Sequence, residues 1–281
     1  MTKKFYFKLF AIVLTPLLIS CNEANQTASI SGEIREEQNP INHKSTVEDS
    51  TVVEFEEDEA NYVEFPNEFE ILITSNYRDW EHKNKVDLLN ENWLDLYQKD
   101  GNYQLAKANY TIERSYSDCS GDSTKIIHSK RKTLLLLDNK DLKVGAVKSI
   151  TPTKKKIWPK ETLQLNFEGN SYSFRAEGKV NASYTVSTDD GDELFQEVED
   201  YKLYLSINGG AEVLFLQQAS FDQTFMEFRF IGDLDRDGKL DFILSANRNY
   251  EEERVLLFLS SDSKEGKGLR QVAEIAVQFD C

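Results

Sequence analysis

The stretch Phe228-Arg-Phe-Ile-Gly-Asp-Leu-Asp-Arg-Asp-Gly-Lys-Leu-Asp-Phe-Ile-Leu244 sets apolar residues at alternate positions on either side of an aspartate-rich loop. Phe228 and Phe230 before the loop, and Phe242 and Leu244 after it, recur with the period of two that lines one face of a β-strand. A pair of helices around the loop would need apolar residues at a period near 3.6 instead. Two antiparallel strands joined by the loop are therefore expected.

Inside the loop, Asp233, Asp235 and Asp237 alternate, Gly238 follows and Asp241 closes the group. Calcium takes about six to eight oxygen ligands at roughly 2.3–2.6 Å, which demands a turn tight enough to aim several carboxylates inward. Alternate spacing puts the first three aspartates on the inside of such a turn, and Gly238 permits the reversal through positive φ. The backbone carbonyl of Lys239 and the carboxylate of Asp241 complete the expected ligand set. The candidate metal ligands are thus Asp233, Asp235, Asp237, Lys239 and Asp241, with a calcium ion in a structural role. Arg236 and Lys239 are expected to point outward and soften the repulsion among the acids. Helix–loop–helix calcium sites carry a bidentate Glu at the twelfth position, where this chain has Leu244.

Working outward, alternating apolar segments and turn dipeptides recur along the chain. Trp93–Tyr97 and Tyr103–Ile112 flank Asp100-Gly101, a hairpin turn of the type that favours positive φ. A helix through Val86, Leu89, Trp93 and Leu96 competes for part of this stretch, and continued alternation beyond the turn favours the hairpin. Further strands are expected at Thr133–Leu137, Val144–Ile150, Thr162–Phe167, Tyr172–Ala176, Val180–Ser187, Tyr201–Ile207 and Ala211–Gln217, then Phe225–Ile231, Asp241–Ala246, Arg254–Ser260 and Gln271–Phe279. Asp189-Asp-Gly-Asp192 lacks the alternate spacing of the main loop and is taken as a turn. The pattern predicts an all-β, antiparallel sandwich, barrel or partial-propeller-like domain over residues 67–281, with few short helices.

The first 20 residues have the three zones of an export signal: Lys3 and Lys4, the apolar run Leu9–Leu18, and the small residue Ser20. Leu18-Ile-Ser-Cys21 resembles the lipobox of bacterial lipoproteins. That resemblance implies cleavage before Cys21, diacylglyceryl and palmitate chains on its thiol, and anchorage to the bilayer of the cell envelope. The outer membrane is the expected site, on its periplasmic or its outer face. The phrase Phe230-Ile-Gly232 with the Asp-x-Asp-x-Asp-Gly-x-x-Asp core resembles the calcium loops of FG-GAP and VCBS-type repeats. That loop occurs once here, which does not support a full propeller. The segment from Phe228 to Cys281, with Leu257-Phe-Leu-Ser-Ser261 and a terminal cysteine, is similar to the tails of uncharacterised lipoproteins of the Bacteroidota.

With Cys21 carrying lipid, Cys119 and Cys281 remain as an even pair in an oxidising compartment, and a disulfide between them is expected. It would close a loop of roughly 160 residues, for which the chain-entropy model gives about 5 kcal/mol as an upper figure. Residues 21–66 are rich in Ser, Thr, Asn and Glu, and from Glu48 to Glu70 carry no Lys or Arg; they read as an acidic tether.

Formal charge is −16, and removing Lys3, Lys4 and Lys8 makes the mature chain more acidic still. Such a surface excludes nucleic acid as a partner, since that binding relies on cations neutralising phosphates. It leaves a glycan or an envelope protein as candidates beyond the bilayer. His43, His82 and His128 are the only histidines and none has a second ligand or nucleophile at catalytic spacing. No sequence feature selects a pair among the many carboxylates. An envelope protein with a structural or binding role is expected, with a glycan-active hydrolase or carbohydrate-binding module as the alternative. Trp80, Trp93, Trp158 and Tyr184 are the aromatics to weigh for sugar stacking, against packing in the core. Trp158-Pro159, after three lysines, is expected in an exposed loop.

Overall fold

The computed structural model describes residues 65–79, 83–118, 120–188, 191–260 and 268–279. In chain order the strands are β1 (Ile71–Leu72), β2 (Asn76–Arg78), β3 (Leu94–Lys99), β4 (Asn102–Lys107), β5 (Tyr110–Ser117), β6 (Asp122–Ser129), β7 (Lys132–Leu137) and β8 (Gly145–Ser149), followed by β9 (Thr162–Phe167), β10 (Asn170–Thr188), β11 (Gly191–Ile207), β12 (Val213–Ser220), β13 (Glu227–Asp233), β14 (Asp241–Ser245), β15 (Glu252–Leu259) and β16 (Arg270–Gln278). Among the described residues the one helical element is a 3-10 turn at Lys85–Leu88. The competing helix through Leu96 is therefore confined to that turn, and Leu96 sits in β3.

The domain is all-β, and of the three architectures left open its main sheet is barrel-like. That sheet has nine antiparallel strands in the order β1-β7-β3-β4-β8-β13-β14-β15-β16 and is nearly closed. Residues ahead of β1 reach across to β16: the Glu68 N–H donates to the Val272 carbonyl, and Asn67 bonds both backbone groups of Glu274. A second sheet runs β12-β11-β10-β9, and a third β2-β6-β5.

Strands β14 and β15 are apolar at successive positions because they are walls shared by two cores. Ile243, Val255, Leu257 and Leu259 join Trp93, Leu96 and Leu135 in one apolar cluster inside the nine-stranded sheet. Phe242, Leu244, Leu256 and Phe258 turn the other way, onto Phe174, Tyr201 and Phe215 of the second sheet. Two-sided burial produces continuous apolar runs rather than alternation. Each buried Phe or Leu contributes about 1.5–3 kcal/mol, an upper figure because the unfolded chain is itself partly collapsed.

Phe228 and Phe230 do not share a face as strict alternation implies. The β13–β14 register jumps between them, so Phe228 joins the second cluster and Phe230 the first. The extra residue, Arg229, makes a β-bulge. Its carbonyl accepts a hydrogen bond from the Tyr103 hydroxyl at 3.2 Å, while the Tyr103 ring stands edge-on to Phe230 at 4.9 Å. Two residues on, Gly232 lies against β8: a Cβ there would stand 2.4 Å from the Lys148 carbonyl oxygen and 2.7 Å from the Phe230 ring. The Phe-Ile-Gly phrase is thus a packing requirement where β13 meets β8.

Other boundaries also moved. The expected strand Tyr103–Ile112 divides at Ala108-Asn109, so that β4 stays in the nine-stranded sheet and β5 pairs with β6. Tyr172–Ala176 and Val180–Ser187 are parts of one strand, β10, paired along its length with β11 through two register shifts. Thr188 pairs with Gly191, and the two residues between them lie outside the described ones. Trp158 and Pro159 are buried rather than exposed, with the Trp158 ring stacked on Phe225 at 3.9 Å between centroids and edge-on to Phe195 at 5.7 Å. Trp93 is also buried, its indole N–H donating to the Leu88 carbonyl. Burying a large ring outweighs leaving it in water wherever its one polar group finds a partner.

Candidate metal centre

The aspartate loop joins β13 to β14 as expected, with Gly232 opposite Asp241. Its reversal uses Arg236 at φ 66° and Gly238 at φ 85°. Carboxylate oxygens of Asp233, Asp235 and Asp237 lie within 4.8 Å of one another, and no other such group of His, Cys, Asp and Glu side chains occurs among the described residues. Asp233 is buried, Asp235 partly buried and Asp237 exposed.

Part of each carboxylate holds the loop. Asp233 Oδ2 accepts the Gly238 N–H, Asp235 Oδ1 the Asp237 N–H, and Asp237 Oδ1 the Lys239 N–H, at 2.8–3.2 Å. The remaining oxygens decide whether a cation fits. Asp233 Oδ1 and Asp235 Oδ2 are both buried and accept no hydrogen bond. A buried carboxylate oxygen without a donor is costly unless a cation faces it. Two such oxygens beside a third acid form a hard-oxygen donor set that suits calcium.

Asp241 comes to the same loop but is turned inward. It is wholly buried; Oδ2 accepts the Leu234 N–H at 2.6 Å and the Asp235 N–H at 3.3 Å. Oδ1 accepts the Ser260 N–H at 2.8 Å, with the Ser260 hydroxyl at 3.1 Å. The fourth acid of the motif thus ties the loop to the end of β15. Lys239 contributes its N–H to the Asp237 carboxylate, and its ammonium lies 3.5 Å from the same group. The Arg236 guanidinium leaves the loop to reach the Val144 carbonyl at 2.9 Å, fixing the loop to the start of β8. Ser260 and Val144 were not legible as parts of the site, because their partners lie far away along the chain.

Electrostatics express the same crowding. Burial first, then the charge of Asp237, pushes the Asp235 carboxyl up to about 6. Asp233 is raised by burial and by Asp237, against the Gly238 N–H, which lowers it. Asp241 is raised strongly, chiefly by burial and next by Asp235. A divalent cation among these oxygens would offset both causes.

Cys21, Cys119, Cys281, His43, His82, Trp80, the export segment and the tether up to residue 64 lie outside the described residues. His128 is exposed and bonds Glu113 at 2.9 Å across the β5–β6 pair. Tyr184 is exposed on β10. No described helix is long and apolar enough to cross a membrane. Comparison with protein-family models, with curated proteins and with solved structures gives no match.

Proposed function

We propose that the chain is a lipid-anchored envelope protein whose β domain is stabilised by calcium and serves a structural or binding role. The observation carrying the calcium reading is the pair of buried, unpartnered oxygens, Asp233 Oδ1 and Asp235 Oδ2, beside Asp237. In this reading Asp233, Asp235 and Asp237 hold the ion, with the Lys239 carbonyl as a further ligand. Asp241 positions the loop from behind through its backbone bonds. The ion supplies charge neutralisation and a rigid link between β13 and β14.

Extracellular calcium modules bind with Kd near 10⁻⁴–10⁻³ M; at ~1 mM calcium and a Kd of ~0.1 mM, linkage contributes about 1.4 kcal/mol. For a domain of this size that corresponds to a rise in Tm of about 4 °C. Calcium should raise the melting midpoint of the wild-type protein by that amount. Asp235→Ala should show no rise, and an unchanged wild-type midpoint would overturn the calcium reading.

The anchor rests on Leu18-Ile-Ser-Cys21 behind an apolar zone. Cys21→Ser should abolish incorporation of radiolabelled palmitate in a bacterial host and release the protein from the membrane fraction. Labelling that survives the substitution would rule out Cys21 as the lipid site.

A further inference from the structure

The chain is strongly acidic, and several of its lysines are matched to a neighbouring carboxylate: Lys148 with Glu168, Lys154 with Glu161, Lys155 with Glu227 and Lys179 with Glu199. Some other lysines make no ion pair among the described residues, and two clefts gather three of these each: Lys107, Lys140 and Lys143 line one, and Lys99, Lys130 and Lys132 the other. The latter cleft, of about 590 Å³, lies between the β3–β4 turn and the β6–β7 turn. All three are exposed and none makes an ion pair within the described chain. Asp100 is the one carboxylate in the lining.

The walls of this cleft are well held. Asp100 and Gly101 take positive φ, 50° and 80°, in a two-residue turn closed by the Lys99–Asn102 pair. Arg131, between the two β6–β7 lysines, donates to Asp95 at 3.0 Å and to the Lys107 carbonyl at 2.9 Å, and its guanidinium lies over the Tyr97 ring at 4.6 Å. Its charge is thereby matched by Asp95, whereas the lysine charges remain open to solvent.

A further cleft, of about 770 Å³, shares Tyr97, Lys99 and Asp100 with this one and continues toward β8, where Asn102, Gln104 and Ser149 line it. The two clefts adjoin at these three residues as a groove with Lys99, Lys130 and Lys132 at one end, Asn102, Gln104, Ser149 and the Glu168-paired Lys148 at the other, and Tyr97 at the join.

We propose that this groove binds an anionic glycan, a sugar chain carrying carboxylate or phosphate groups. The lysines meet the acid groups, the amides and hydroxyls meet sugar hydroxyls, and Tyr97 offers an aromatic edge beside them. An anionic bilayer is the less suitable occupant, because a broad negative plane would also face the carboxylates that dominate the rest of the surface. The groove shares no residue with the aspartate loop, so it stands whether or not calcium binds there.

Affinity electrophoresis and calorimetric titration of the purified chain test this, using polygalacturonate, phosphorylated dextran, unmodified dextran and phosphatidylglycerol vesicles. Retention by at least one of the two anionic glycans is expected, weakening as salt rises, with none by unmodified dextran. The variant K99E/K130E/K132E should bind at least tenfold more weakly with an unchanged melting midpoint, and the milder K99Q/K130Q/K132Q set should fall between. Binding to neither anionic glycan, undiminished binding by both variants, or binding to vesicles alone would overturn the proposal.

Discussion

Phe242→Ala is expected to cost about 4 kcal/mol of stability, within the range for removing a fully buried aromatic side chain. Phe242 is wholly buried on β14 and its ring is met by four others: Phe174 at 5.3 Å, Phe215 at 5.5 Å, Phe228 at 5.9 Å and Tyr172 at 6.2 Å between centroids. Those partners come from β10, β12 and β13, so the ring occupies the junction between the second sheet and the shared wall. Phe242 is paired with Ile231 of β13 on one side and with Phe258 of β15 on the other, which limits how far the space can collapse. Phe242→Leu keeps most of the volume and should cost roughly 1–2 kcal/mol. Urea denaturation midpoints measure both. A loss below about 1.5 kcal/mol for the alanine variant would mean that the two sheets do not share this core.

Asp241→Ala is expected to cost about 3–5 kcal/mol, for a different reason. The carboxylate accepts the backbone N–H groups of Leu234 and Ser260 at 2.6 and 2.8 Å, with the Asp235 N–H and the Ser260 hydroxyl also in reach. Leu234 is wholly buried and Ser260 nearly so, so donors that lose this acceptor find no water. Each buried donor left without a partner costs about 1–3 kcal/mol. Asp241→Asn retains one acceptor oxygen and should fall between wild type and alanine. The alanine variant should also lose the calcium response, since the link from loop to β15 is gone. Chemical denaturation with and without calcium reads both effects. Wild-type stability in Asp241→Ala would show that the loop is held by other means.

Asp241 also marks where the sequence ceased to be informative. Spacing identified four aspartates and their common loop, and the structure brings all four together. Spacing treats every carboxylate in the motif alike, however, and the division of labour depends on Ser260, which approaches from the end of β15. The same limit applies to the fold. Alternating strands with one solvent face, such as β9, and the hairpin closed by Asp100-Gly101, were legible because period and turn chemistry are local. The wall strands β14 and β15 were legible as strands, but the reason for their unbroken apolar runs was not, since it requires two cores on opposite faces.

The Arg229 bulge is not legible in the sequence, because an inserted residue leaves the apolar count of β13 intact while reversing its faces. Short or polar strands such as β1, β2 and β6 lacked the apolar content that pattern reading needs; their pairing supplies what composition does not. Trp158 was expected outside because three lysines precede it, yet burial against Phe225 and Phe195 decided its place. Local charge is a poor guide to the position of a ring that has partners across the fold.

Calorimetric titration of calcium into chelator-treated protein tests the central proposal most directly. One site per chain is expected, with a Kd of about 10⁻⁴–10⁻³ M, absent from Asp235→Ala and retained in the K99E/K130E/K132E variant. Heats of dilution alone from the wild-type protein, or an unaltered isotherm from Asp235→Ala, would contradict it.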